Sequence, residues 1–181
     1  MKKFLFLTLI ALGSMMVACS KDEPNDPSEP YEPNEPGPIA VTVMGEEVEN
    51  GSTIDSYCAK TEDLGGGFVI TVLDPEIKAM SVKDGEFEIT VTNNLSTFAD
   101  PTIPVVLFCW PSECYNVEPG KSVTQTGSLK ANEYSGLSID TTNWMEDRDA
   151  FSIPVTVNIV EKGNPSNSFM FNINMIYDPS K

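Results

Sequence analysis

The C-terminal part of the chain alternates. From Phe151 to Ile159 every second residue is apolar: Phe151, Ile153, Val155, Val157 and Ile159. Phe169, Phe171, Ile173 and Met175 repeat the pattern. A period of two places one set of side chains on one face of a β-strand and the polar set on the other. The run "EFEITVT" (86–92) does the same, with Phe87, Ile89 and Val91 opposite Glu86, Glu88, Thr90 and Thr92. Asp84-Gly85 before it is a turn signal. Further β-rich runs are "IAVTVM" (39–44), "FVITVL" (68–73), "TIPVVLFCW" (102–110), "KSVTQTGSLKA" (121–131) and the weaker "EYSGLSID" (133–140). The stretch "EKGNPSN" (161–167) predicts the loop of a final hairpin. Pro154 lacks a backbone donor and points to an edge or a bulge on its strand. No segment sustains a helical period. About seven to nine short strands separated by frequent turns predict an all-β chain folded as an antiparallel β-sandwich. Alternation of this kind belongs to half-exposed antiparallel sheets, not to buried parallel ones.

Before Ile39 the pattern is different. In "EPNDPSEPYEPNEPGP" (23–38) proline falls at 24, 27, 30, 33 and 36, and each is preceded by an acid: Glu23, Asp26, Glu29, Glu32 and Glu35. Polyproline II has three residues per turn, so the prolines line one face and the acids another. Restricted φ angles and like-charge repulsion keep such a segment extended. Residues 20–38 would reach on the order of 60 Å. Upstream, Lys2 and Lys3 precede an apolar run from Phe4 to Leu12 and then small residues, the layout of a secretory signal. The run is too short to span a bilayer, which takes about 20 residues. Met16-Val17-Ala18-Cys19 resembles a bacterial lipobox, which implies cleavage before Cys19 and acylation of that cysteine. The expected organisation is therefore a signal peptide (1–18), a lipidated Cys19 with a proline- and acid-rich tether (19–38), and a β-sandwich domain (39–181).

Charge and composition narrow the function. The chain carries 11 basic and 27 acidic residues, a formal charge of −16. Nucleic acid and anionic lipid headgroups are repelled by such a chain. There is no histidine. That removes Ser-His-Asp and Cys-His catalysis and every histidine-based metal site. Arg148 is the single arginine, so no phosphate clamp built from several bidentate arginines is available. No glycine-rich phosphate loop and no calcium-binding helix-loop-helix pattern occurs. Neither a cofactor nor a metal is expected, and the chain reads as non-enzymatic.

With Cys19 lipidated, Cys58, Cys109 and Cys114 remain for disulfide chemistry in an exported protein. "CWPSEC" has the spacing of a hairpin tip, which favours a Cys109–Cys114 bridge with Cys58 left as a buried small hydrophobe. Pairing of Cys58 with either of the others, and no bridge at all, are the alternatives.

The acidic run after the cysteine, "CSKDE", resembles lipoproteins of the Bacteroidetes, in which acid at that place accompanies export to the cell surface. The block "FEITVTNNLS…VVLFCWPSECYNVEPGKS", with the two late strands, resembles the immunoglobulin-like domains of secreted and surface proteins of that phylum. The resemblance covers about 86–177. It implies an immunoglobulin-like sandwich held at the outer membrane, facing the exterior or the periplasm, and it implies no activity. Asp140-Thr141-Thr142 resembles the short O-glycosylation motif of these bacteria, with Thr141 as acceptor. Trp110, Tyr115 and Trp144 are the candidate ligand contacts, either capping the core or forming an aromatic platform. Two functions follow as expectations: a surface module that binds or assembles with a protein partner, or a carbohydrate-binding lipoprotein of a glycan-uptake system.

Overall fold

A computed structural model of the chain describes residues 39–145 and 148–181. The expected signal peptide, Cys19 and the tether lie outside the described residues. The described chain is all-β, with strands β1 (Ile39–Val43), β2 (Glu46–Glu47), β3 (Thr53–Tyr57), β4 (Ala59–Asp63), β5 (Val69–Leu73), β6 (Ile77–Ser81), β7 (Gly85–Asn93), β8 (Val106–Cys109), β9 (Cys114–Val117), β10 (Ser122–Leu129), β11 (Ser135–Thr141), β12 (Phe151–Glu161) and β13 (Asn164–Tyr177). Thirteen strands exceed the seven to nine expected. The additional ones are short or polar, and β4 ("AKTED") has no apolar stripe at all.

Two sheets face one another. One has the order β2-β1-β6-β11-β8-β9 and the other β10-β7-β12-β13-β3. All their pairings are antiparallel except β13 with β3, which run parallel from Asn172 beside Thr53 to Ile176 beside Tyr57. The hairpin β4–β5 forms a separate two-stranded sheet. Apolar residues of both inner faces make the core, with Phe87, Phe108, Phe171, Ile139, Ile153 and Ile159 fully buried. Each such side chain contributes about 1.5–3 kcal/mol through removal from water. Every apolar residue of the β13 alternation, Phe169, Phe171, Ile173 and Met175, is buried.

Two local expectations are corrected. Pro154 lies in the central strand β12, not at an edge. It sits one residue beyond the ladder with β7, whose last pair is Val155 with Asn93. The missing donor therefore falls where β7 no longer pairs, and the Pro154 carbonyl accepts the Asn94 N–H at 2.8 Å. The expected loop 161–167 is also shorter than read. β13 starts at Asn164, and a register shift at Val160/Glu161 absorbs the irregularity.

Candidate functional site

The cysteine tip forms as a closed turn. β8 and β9 pair with Cys109 opposite Cys114, and the two are joined by a disulfide across a Cα–Cα distance of 4.0 Å. The Trp110 N–H donates to the Glu113 carbonyl at 3.1 Å across the turn. Cys58 is a free, buried thiol, and burial pushes it up to about 11. It is inert as a nucleophile at neutral pH.

The three candidate aromatics do not assemble into a platform. Trp110 is 2% exposed and Trp144 6%. The Trp110 indole lies over β10 at Gly127, where an added Cβ would come within 2.8 Å of the ring. A side chain larger than hydrogen cannot stand at 127 without displacing the ring, so glycine is needed there for close approach and not for a turn. Trp144 pairs with Thr71 through two backbone hydrogen bonds of 2.8 and 3.0 Å. Its ring meets Phe151 at 5.7 Å and Tyr177 at 5.4 Å, edge to face. The two tryptophans sit near opposite ends of β8, one following Cys109 and the other beyond Thr141, the partner of Val106. Both are core residues, so the expectation that they contact a ligand is corrected. Only Tyr115 is exposed, and its hydroxyl donates to the Glu113 carboxylate at 2.6 Å.

Thr141 is likewise corrected as a glycan acceptor. It is 1% exposed, and its hydroxyl accepts the Leu73 N–H at 3.0 Å. No sugar can be carried there in the folded chain. The parity of the sequence contains the signal: Thr141 shares a face with the buried Leu137 and Ile139.

Beside the cysteine tip, an open groove of about 630 Å³ runs over the first sheet. Lys60, from β4, donates to Asp74 at 2.8 Å and to Glu76 at 2.5 Å. Asp140, from β11, accepts the Ser138 hydroxyl at 2.7 Å. Burial raises the Asp140 carboxyl, and the Asp74 charge adds to the rise. The disulfide occupies Cys109, so the groove offers no thiolate. Among the described residues no cluster of acids, cysteines or histidines is arranged to hold a metal ion.

The most exposed apolar side chains lie away from this groove, while Val82, Tyr115, Tyr134 and Met170 are exposed to a lesser degree on other parts of the domain. The tip of β4–β5 is Leu64-Gly65-Gly66-Gly67-Phe68, and the three glycines take φ of 83°, 67° and 84°. Leu64 is 58% exposed and Phe68 61%, with Val69 also exposed. Phe98, in the β7–β8 connection, is 95% exposed, and Met145 follows the buried Trp144. Strand β5 and two connections are tied together at this end of the sandwich. Thr71 pairs with Trp144, the Thr142 N–H donates to the Val105 carbonyl at 2.8 Å, and the Arg148 guanidinium donates to the Thr102 carbonyl. Ile39 lies toward the opposite end, opposite Ser81.

No protein-family model matches the chain, and no curated protein matches it. Among solved structures, the N-terminal domain of PorA is similar over 77% of this chain and 96% of its own, at 16% identity and a TM-score of 0.51. A mutant of the CFA/I enterotoxigenic E. coli adhesin CfaE matches over 78% of this chain at 8% identity and a TM-score of 0.44. The chain spans about half of that adhesin, at 49%. The likeness to the PorA domain is one of fold, and it agrees with an immunoglobulin-like β-sandwich.

Proposed function

We propose that the chain is a non-catalytic cell-envelope module, lipid-anchored through Cys19 at the outer membrane, displayed outward, and engaging a protein partner through the loop end of its sandwich. The observation that carries this reading is the concentration of exposed apolar side chains at that end. Leu64 and Phe68 stand on a glycine-turned hairpin tip, and Phe98 is almost fully exposed. Grouped large apolar residues of this kind mark interaction surfaces in soluble domains. The chain is acidic overall, so the fitting partner offers an apolar recess with a basic rim. With Trp110 and Trp144 buried, the aromatic platform that a sugar would need at the cysteine tip is missing.

Site-specific photocrosslinking in intact cells tests the contact. Probes at 68 and 98 should yield one discrete adduct that a probe at 162 does not give, and Phe68→Asp should abolish it. Equal labelling from all three positions would overturn the assignment. The anchor is tested separately. Cys19→Ala should move the protein out of the membrane fraction, and retention there would rule out lipidation at this residue.

A further inference from the structure

The middle of the outer face of the second sheet is a ladder of hydroxyls and amides. The registers of the five strands place Ser122, Thr92, Thr156, Asn172 and Thr53 side by side in one row. The row is bonded along much of its length. Thr92 and Ser122 hydroxyls meet at 2.8 Å, the Thr156 hydroxyl donates to the Asn172 side-chain carbonyl at 2.7 Å, and the Asn172 amide donates to the Thr53 hydroxyl at 3.4 Å. A second row, two residues along, holds Thr124, Thr90, Asn158 and Met170, with the two threonine hydroxyls 2.8 Å apart. Neither of these two rows contains a charge, although the chain carries −16 and the flanking rows of the same face hold Asp55 and Glu88.

Cross-strand threonine pairs stabilise any sheet by about 0.2–1 kcal/mol each. That accounts for single pairs. It does not account for a row that continues across five strands while remaining uncharged. The bonds hold the rotamers in place, so a ligand meets donors and acceptors already ordered and the side-chain entropy lost on binding is small. Each hydroxyl and amide keeps unused hydrogen-bonding capacity after these contacts. The groups repeat at the strand spacing, about 4.8 Å.

We propose that this face binds an uncharged, extended β-1,4-linked hexose polysaccharide lying across the strands. One sugar of such a ribbon advances by a distance close to one strand spacing, so hydroxyls along the ribbon meet one polar group per strand. Met170 is 44% exposed and offers an apolar contact to the C–H face of a ring. The absence of charge from the rows suits a neutral glycan and gives no steering to a basic protein. A second copy of the chain stacked on the face would bury little apolar area. The surface is separate from the loop end, so this proposal and the protein-partner reading can fail independently.

Affinity electrophoresis of the full chain in native gels containing hydroxyethylcellulose or glucomannan tests the proposal, with polygalacturonate as the charged control. Retardation is expected in at least one neutral gel and not in polygalacturonate. Thr156→Val combined with Asn172→Leu should weaken the retardation at least tenfold. Asn158→Lys, which stands a long side chain on the exposed face, should do the same with the fold intact by thermal melting. No retardation in either neutral gel, retardation unchanged in both variants, or self-association through this face in sedimentation would each overturn it.

Discussion

The two hairpins β12–β13 and β4–β5 use the same secondary structure for opposite ends. In β12–β13 the inward residues from Ile153 to Ile159 and from Phe169 to Met175 are buried, and the outward ones are mostly Thr, Ser and Asn. In β4–β5 most residues are exposed, and the apolar side chains Leu64 and Phe68 point to solvent at the tip. One hairpin spends its apolar residues on the core and the other presents them. The difference teaches that in this chain an apolar residue in a periodic run belongs to the fold. An apolar residue in a glycine-rich turn belongs to the surface.

That contrast can be broken by substitution. The largest effect is expected from Phe171→Ala at the centre of the first hairpin. A fully buried phenylalanine truncated to alanine loses about 3–5 kcal/mol, read as a lower denaturant midpoint with unchanged slope. Next comes Gly127→Val, which belongs to neither hairpin but tests whether Trp110 serves the fold. The added carbons meet the indole, and overpacking should cost about 1–3 kcal/mol. An unchanged midpoint would return Trp110 to the surface. A smaller effect is expected from Asp140→Asn. Burial raises the Asp140 carboxyl above its ordinary 3.8, so the folded chain keeps that proton to higher pH than the unfolded chain does. Stability from this group therefore falls as pH rises from 3.8 through the raised value, and stays lower above it. Asp140→Asn should raise the melting temperature at neutral pH and remove that part of the pH dependence, as thermal scans from acid to neutral pH would show. The smallest effect belongs to the second hairpin. Leu64→Ser with Phe68→Ser should change stability by no more than about 0.5 kcal/mol. A loss of several kcal/mol in a urea titration would mean that the tip is part of the core and that the contrast is false.

The β-sandwich was legible because its longest strands alternate without interruption. β7, β12 and β13 carry strict inward sets, and the cysteine spacing located the disulfide turn. β3 was not legible. Its inward positions are Ile54 and Ser56, and a serine at an inward site erases the apolar period. Its partner is also more than a hundred residues away, so no local turn signals it. β4 has no inward stripe and is a strand only because β5 pairs with it. For the tryptophans the sequence left core and surface both open. Trp110 is in phase with the buried Val106 and Phe108, which is the signal that turns it inward, whereas Trp144 is a single residue in an irregular segment where periodicity says nothing. Gly127, beneath Trp110, shows its purpose only once β10 lies against the cysteine turn. The polar rows depend on five registers at once, and no single strand reveals them.

The position of β13 has a consequence for timing. It lies between β12 and β3, bonded to both, and it is the last strand in chain order. The Asn174 amide donates to Asp55 across a sequence separation of 119. The second sheet therefore cannot be completed until residues 164–177 are available, and long-range strand pairing of this kind is slow. A chain delivered N-terminus first remains open for most of its delivery. The first sheet, whose last strand in chain order is β11, has all its strands before the second sheet does.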